Sequence, residues 1–284
     1  MTTEEILKNG AELLRQSGET DSPRLDAELL LCHVLNCERL DLILNAKKSV
    51  PDDARERFFA CLKRREQGEP VAYILGFKEF MSLKFNVSKG VLIPRPDTEV
   101  LAEFAIDVAK GFKNPIVSDL CTGSGALAVS VAKYAANSFV YAVDFSEICV
   151  KTAQKNAEEN GVLNRVRVIS KDILKDFSLP EKADILISNP PYIKTDVINS
   201  LSKTVRAFEP ESALDGGDDG LIFYRRIAEI APLLLKPDGI LALEIGHDQF
   251  YEVSDILKNN GSFKSIDFLC DLSGIKRVIS AVLA

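Results

Sequence analysis

Ala183-Asp184-Ile185-Leu186-Ile187-Ser188-Asn189-Pro190-Pro191-Tyr192 is the stretch around which the chain is organised. Its first five residues form an apolar run of strand length, and the two prolines end any strand there because neither can donate to a ladder. Asn189 is therefore expected at the carboxyl end of a strand, the edge at which open α/β sheets bind ligands. An Asn side chain offers one carbonyl acceptor and one amide donor. Pro190 leaves its own carbonyl free on a backbone of restricted φ. Two fixed acceptors of this kind suit the NH2 of a planar amide or the exocyclic amine of a base, and Tyr192 adds a flat face on which such a group can stack. Read alone, the same residues also make a strand followed by a proline-stiffened turn, so the rest of the chain must decide.

Working outward, strand and helix patterns alternate from Pro115 onward. Strands are expected over 116–120, 139–143, 166–169, 183–187 and 240–244, and helices over 126–135, 148–160, 221–235 and 249–258. Two closing apolar runs, 265–270 and 277–283, are separated only by a short link beginning Asp271-Leu272-Ser273-Gly274. That link is too short for a helical crossover, so the two runs should form an antiparallel hairpin at one edge. The expected fold class is α/β: a Rossmann-like, doubly wound parallel sheet with a terminal antiparallel strand.

Upstream the pattern is mostly helical. Thr3 can cap a first helix that Gly18 stops, Pro23 suits the first position of a second, a short third passes through Leu40 and Ile43, and Pro51 opens a fourth. Residues 77–87 then alternate as a hairpin would. Pro94-Arg95-Pro96-Asp97-Thr98-Glu99 forbids helix until Asp97 or Thr98, either of which can cap the helix that follows. The two prolines explain a stiff helix entry. They do not explain an Arg held between them, and a rigidly presented Arg95 suggests a structured loop over a cofactor or substrate.

Composition narrows the classes. The 284-residue chain carries a formal net charge of −7, which argues against tight sequence-independent binding to a nucleic-acid backbone. No apolar run approaches the ~18 residues of a membrane span, and Thr3, Glu4 and Glu5 stand where a signal peptide would be basic and then apolar. The six cysteines show neither disulfide nor zinc-ribbon spacing; Cys32, His33 and Cys37 come nearest to a metal cluster but lack a fourth ligand. No metal and a reducing cytoplasm are expected. Neither of the two histidines lies near a nucleophile elbow, which disfavours covalent acyl transfer.

Asp119-Leu120-Cys121-Thr122-Gly123-Ser124-Gly125 follows the first sheet strand and opens a helix, with Gly123 and Gly125 allowing a sharp turn and close approach of a ligand. Asp144 stands 19 residues beyond Gly125, where a carboxylate can hold ribose hydroxyls. This element alone does not separate a nicotinamide enzyme from a methyltransferase. Two features favour S-adenosylmethionine. Asp119 places a carboxylate where a methionine ammonium would pair and a pyrophosphate would be repelled, and Asp172 with Ile173 follows the third strand, where they would bracket an adenine ring.

The glycine loop, Asp144 and Asn189-Pro190-Pro191-Tyr192 together resemble class I methyltransferases that modify amino or amide nitrogens. With Pro94 to Glu99, Glu69 to Gly76, Glu209-Pro210-Glu211-Ser212-Ala213-Leu214-Asp215-Gly216-Gly217 and Gly220-Leu221, the chain resembles the bacterial release factor glutamine methyltransferases of the HemK/PrmC family over nearly its whole length. It departs at Ile173, where some members carry an aromatic residue. The resemblance implies a helical substrate-recognition domain at 1–76, a hairpin connector at 77–93 and an S-adenosylmethionine-binding methyltransferase domain at 94–284. It implies Asn189, Pro190 and Tyr192 as catalytic, Pro191 and Arg95 as further substrate contacts, and Asp119, Cys121, Thr122, Gly123, Ser124, Gly125, Asp144, Phe145, Asp172, Ile173 and Asn189 around the cofactor. The implied activity is methylation of the side-chain amide of the glutamine in the Gly-Gly-Gln motif of peptide chain release factors, with no direct nucleic-acid or membrane partner. Three alternatives stand beside it: a methyltransferase acting on adenine or guanine amino groups, a nicotinamide oxidoreductase, and a non-catalytic protein that kept the fold.

Overall fold

Helix α1 (Thr3–Ser17) begins at Thr2, whose hydroxyl accepts a hydrogen bond from Glu5 N while the Glu5 carboxylate accepts one from Thr2 N. The cap is thus one residue earlier than expected, because the reciprocal box needs its acid three positions on, and Thr2 rather than Thr3 has one there. Helices α2 (Pro23–Leu35), α3 (Arg39–Leu44) and α4 (Asp52–Glu66) follow, then a short α5 (Val71–Leu75) that ends at Gly76 in the left-handed conformation. Ile6, Leu14, Leu30, Leu31, Phe58 and Leu62 form the core of this helical unit. Beside that core Arg65 Nε meets Asp26 Oδ2 at 2.8 Å, both side chains buried.

The computed structural model describes residues 1–284 and divides them into two units, Met1–Phe77 with Leu201–Glu209, and Lys78–Ser200 with Pro210–Ala284. Strands β1 (Phe77–Phe80) and β2 (Leu83–Asn86) pair as a separate two-stranded sheet. Their turn residues Met81 and Ser82 both have positive φ, the tight-hairpin geometry. A 3-10 turn over Pro96–Thr98 leads into α6 (Glu99–Lys110).

Seven strands build the second unit: β3 (Ile116–Leu120), β4 (Phe139–Asp144), β5 (Val166–Ser170), β6 (Ala183–Ser188), β7 (Leu235–Glu244), β8 (Phe263–Cys270) and β9 (Lys276–Leu283). Their order is β5-β4-β3-β6-β7-β9-β8; all neighbours are parallel except those of β9. The chain-terminal strand is therefore the antiparallel one, inserted between β7 and the edge strand β8. Helices α7 (Ala126–Tyr134) and α8 (Glu147–Glu159) join α6 over one face, where Leu101, Ala105, Val129 and Ile185 pack. After two short helices, α9 (Thr195–Ile198) and α10 (Lys203–Phe208), come α11 (Ile222–Leu234) and α12 (Phe250–Asn260) on the other face, with Tyr224, Ile227, Leu241 and Ile279. Each fully buried side chain of this size contributes about 2 kcal/mol.

This order places a topological switch point between β3 and β6, since β4 and β5 lie to one side of β3 and β6 to the other. Leu120 and Ser188 are register partners at the carboxyl ends of these strands, and Ser188 Oγ donates to Leu120 O at 2.6 Å. The glycine loop and Asn189 consequently leave the sheet side by side. No helix is long and apolar enough to cross a membrane.

Candidate active site

The glycine loop is fixed from three directions. Thr122 N donates to Val143 O at 2.9 Å, Gly125 N to Thr122 O at 2.8 Å, and Asn156, wholly buried on α8, donates to Ser124 O at 2.8 Å. Gly123, Gly125 and Cys121 all have positive φ; at Cys121 the side chain makes that conformation costly and marks a held turn. A Cβ on Gly125 would sit 3.0 Å from Ala153 Cβ and 3.1 Å from its Cα, so glycine lets α7 and α8 approach. A Cβ on Gly123 would meet nothing within 4 Å. There the space is left to a ligand.

Asp144 ends β4 with both oxygens engaged: Oδ2 accepts from Gly123 N and Oδ1 from Ser146 N, each at 2.9 Å. Burial raises its pKa, although these backbone donors pull the other way. Asp119 is wholly buried beneath the loop, where one oxygen accepts from Thr122 Oγ1 and Ala128 N and the other has no partner. Burial pushes its carboxyl up to about 7, with the hydrogen bonds from Thr122 and Ala128 opposing the shift. Asp172 caps Leu174 N at 3.0 Å and is followed by the buried Ile173. Phe145 is half-exposed at the end of β4.

Beside the loop, Asn189 Nδ2 donates to Thr98 Oγ1 at 3.0 Å. That bond uses one of the two amide hydrogens and leaves the carbonyl oxygen facing away from Thr98. Thr98 stands at the N-cap position of α6, one of the two expected for it, but its hydroxyl makes no capping bond and accepts from Asn189 instead. The segment after Asn189 is pinned by the loop over 214–220. Ile193 N donates to Leu214 O, Gly216 N to Ile193 O, and Thr195 N to Gly217 O, at 2.8–3.1 Å. Gln249 Nε2 donates to Tyr192 O at 2.9 Å, and a Cβ on Gly220 would sit 2.5 Å from that same oxygen. The glycines of this loop thus have a packing reason that residue spacing alone could not supply.

A cavity opens between these elements. Of the residues singled out from the sequence, Arg95, Cys121, Thr122, Gly123, Ser124, Asp144, Phe145, Asp172, Ile173, Asn189 and Pro191 line it. Asp119, Gly125, Pro190 and Tyr192 are not among its lining residues. Sequence reasoning missed Thr98 and Cys149 in the wall, and the buried Glu244 at the end of β7, whose Oε1 accepts from Tyr192 Oη at 3.4 Å. A strand expected to close on a glutamate at a sheet's carboxyl edge was the one available signal for the last. No group of three or more His, Cys, Asp or Glu is placed to hold a metal ion.

Comparison with known proteins identifies the family. Residues 5–76 match the family model of the PrmC N-terminal domain, and residues 98–214 that of ribosomal protein L11 methyltransferase (PrmA). A release factor glutamine methyltransferase from Clostridium acetobutylicum is 42% identical over 258 residues, 90% of each chain. One from Clostridium botulinum is 37% identical over 283 residues, 99% of each chain. Two solved structures share the fold at low identity. The hMettl16 catalytic domain in complex with MAT2A 3′UTR hairpin 1 gives a TM-score of 0.54 at 16% identity over 84% of each chain. A methyltransferase from Pyrococcus furiosus gives 0.51 at 19% identity over 72% of this chain and 90% of the other. On the strength of the full-length relatives, the chain belongs to the release factor glutamine methyltransferase family.

Proposed function

We propose that this chain transfers a methyl group from S-adenosylmethionine to the side-chain amide nitrogen of the glutamine in the Gly-Gly-Gln motif of peptide chain release factors, in the cytoplasm. The observation that carries the reading is the Asn189 amide at the cavity wall, whose NH2 is turned to Thr98 so that its carbonyl oxygen is the group offered to a substrate. A carboxamide substrate needs an acceptor for its NH2, and a second is supplied by the Pro190 carbonyl on a backbone of restricted φ.

The residues fit the cofactor. Gly123 leaves room beside the loop, Asp144 presents a carboxylate at the end of β4 for ribose hydroxyls, and Asp172 with Ile173 offers an edge and an apolar contact for adenine. The unpartnered oxygen of Asp119 is the counterion position for an ammonium group. When bound, S-adenosylmethionine supplies an electrophilic methyl group on a sulfonium.

What the chain itself must overcome is the poor nucleophilicity of an amide nitrogen, whose lone pair is delocalised. Accepting both N–H groups at Asn189 Oδ1 and Pro190 O holds the nitrogen in one orientation and favours its pyramidal form. Positioning of this kind is worth ~7 kcal/mol or more of barrier. Pro191 contributes to the apolar wall with Tyr192 next to it in the chain, and Arg95 lines the same cavity. A glutamate substrate would bring oxygens against these acceptors with no proton to share, so the same geometry rejects it. The helical unit of residues 1–76 is the recognition module for the protein partner in this reading, and the formal net charge of −7 argues against tight sequence-independent binding to a nucleic-acid backbone.

The test is transfer of labelled methyl from S-adenosylmethionine to a purified release factor, beside a factor whose motif glutamine is replaced by glutamate, with tRNA and DNA in parallel. Label on the wild-type factor alone is expected. Label on nucleic acid would move the substrate to a base. Asn189→Ala should cut turnover far more than cofactor affinity; equal losses of both would remove Asn189 from the reacting centre.

A further inference from the structure

Arg277 takes no part in the steps described above, yet it ties the last strand of the chain to the wall of the cavity. Strand β9 runs antiparallel to β7, so its first residues lie at the carboxyl edge of the sheet. There Val278 is the register partner of Glu244, and Arg277 O accepts from Ile245 N at 2.8 Å. The Arg277 side chain, only 18% exposed, reaches two carboxylates with two different nitrogens: Nε meets Asp271 Oδ2 and Nη2 meets Asp97 Oδ2, each at 2.8 Å. Asp271 is held by its own turn, where Oδ1 accepts from Ser273 N at 2.8 Å and from Ile275 N at 3.0 Å. A guanidinium is planar and rigid, so fixing Nε on Asp271 aims Nη2 in one direction.

What Nη2 meets is the middle residue of the 3-10 turn Pro96–Thr98. Arg95 just before this turn and Thr98 at its end both line the cavity, and Thr98 N donates to Arg95 O at 3.1 Å. Thr98 Oγ1 accepts from Asn189 Nδ2 at 3.0 Å. A hydrogen bond of that length survives a drift of only about 0.5 Å. The place of the turn therefore decides whether the Asn189 NH2 stays on Thr98 and its carbonyl stays toward the substrate.

We propose that Arg277 is a positioning residue for methyl transfer: braced on Asp271, it fixes the turn through Asp97 and so keeps the Thr98 hydroxyl where it orients the Asn189 amide. The inference rests on the methyl-transfer reading above for its substrate. Its geometry rests on the two Arg277 ion pairs and the Thr98–Asn189 bond. Arg277 touches no reacting atom. The closing antiparallel hairpin thereby acquires a part in the site, because only a strand of reversed direction brings its first residues to this edge.

The experiment compares Arg277→Met, Arg277→Lys, Asp97→Ala and the Arg277→Met/Asp97→Ala double variant with the wild-type enzyme. Arg277→Met keeps the apolar stem and removes every donor. Arg277→Lys keeps the charge but has no planar fork to span two carboxylates. In Arg277→Met and Asp97→Ala, kcat with the release factor should fall about fivefold, and by less in Arg277→Lys, with KM for S-adenosylmethionine within about twofold. The double variant should lose no more than the worse single one, because both cut the same bridge. The Asp97 side chain is 48% exposed, so Asp97→Ala should move the melting temperature by no more than about 4 °C. A substrate-free readout separates this inference from the assigned reaction: the Asn189 side-chain amide protons, followed by 15N NMR, should exchange faster in Arg277→Met and Asp97→Ala than in the wild type. Wild-type kcat in Arg277→Met, additive losses in the double variant, or unchanged amide exchange overturns the proposal. So does a melting-temperature drop in Asp97→Ala well beyond that range, since the pair would then hold the fold rather than the turn. Absence of label on the release factor with the wild-type enzyme overturns the reaction instead, and the exchange data still decide the positioning.

Discussion

Asn156 Nδ2 donates to Ser124 O at 2.8 Å, a bond from the last turn of α8 into the glycine loop 32 residues before it. The same side chain accepts from Asn86 N at 2.7 Å and donates to Asn86 O at 3.1 Å, so one buried amide braces the loop against the end of β2. Asn156→Ala should cost about 3 kcal/mol, because it leaves several buried backbone groups without partners at ~1–3 kcal/mol each. Chemical denaturation measures the first effect and calorimetry with S-adenosylmethionine the accompanying loss of affinity. A cost below about 1 kcal/mol would mean that water replaces the bonds and that the loop does not depend on them.

The two loop glycines should separate stability from binding. At Gly125 an added methyl meets Ala153 backbone and side chain at 3.0–3.1 Å on top of a φ of +80°, so Gly125→Ala is expected to destabilise the fold by about 2–3 kcal/mol. Gly123→Ala carries only the left-handed strain, about 1–2 kcal/mol, yet puts its methyl where the ligand lies. Thermal unfolding and cofactor titration on both variants should show the larger stability loss at Gly125 and the larger proportional affinity loss at Gly123. The reverse ranking would contradict the packing described for α7 and α8.

Asp119 makes the free enzyme's stability depend on pH. Its folded pKa lies at about 7, raised by burial, against an ordinary value of about 4 in the unfolded chain. Between those values the native state holds a proton that the unfolded state has released, so this contribution is fully present below about pH 4 and is lost as pH rises through 7. Glu244, also raised to about 7 by burial, acts in the same direction. The melting temperature of the cofactor-free protein should fall between pH 5 and pH 8, and Asp119→Asn should flatten that slope. A cation seated against the unpartnered Asp119 oxygen favours the ionised form, so S-adenosylmethionine affinity should rise over the same interval. Affinity that is flat with pH would take Asp119 out of contact with the ammonium.

Much of this molecule is legible in its residues, and the limits have physical causes. The central sheet strands announce themselves as apolar runs of buried residues, and the strand expected over 183–187 ends at Ser188, two residues before the first of the paired prolines. The glycine loop and Asp144 are readable because backbone conformation and spacing leave few alternatives. Thr98 looked like a cap, and only the fold shows that its hydroxyl is spent on Asn189, 91 residues away. Asn156 gives no signal at all, being one polar residue on a helix whose partners are distant in sequence. The β7 strand was expected to begin at Ile240; the structure extends it back to Leu235 with a register shift and a left-handed Asp238 between. The short helices α9 and α10 lack the length that makes periodicity visible.

The buried pair in the helical unit tests whether partner capture and catalysis can be separated. Arg65 Nε lies 2.8 Å from Asp26 Oδ2, a second guanidinium nitrogen donates to Glu19 O at 2.8 Å, and Thr20 Oγ1 donates to Asp26 at 2.7 Å. Arg65→Met strips the charge from one partner and leaves Asp26 buried without it, a change that typically costs ~3–5 kcal/mol. The cost should appear as an earlier unfolding step of the helical unit, weaker binding of the release factor, and unchanged affinity for S-adenosylmethionine. Adding Asp26→Asn should recover part of the stability by removing the stranded charge, because it is the unpaired ion rather than the lost bridge that is expensive. Loss of cofactor affinity in step with partner affinity would mean that the helical unit supports the cofactor site as well, and the division of labour proposed for it would fail.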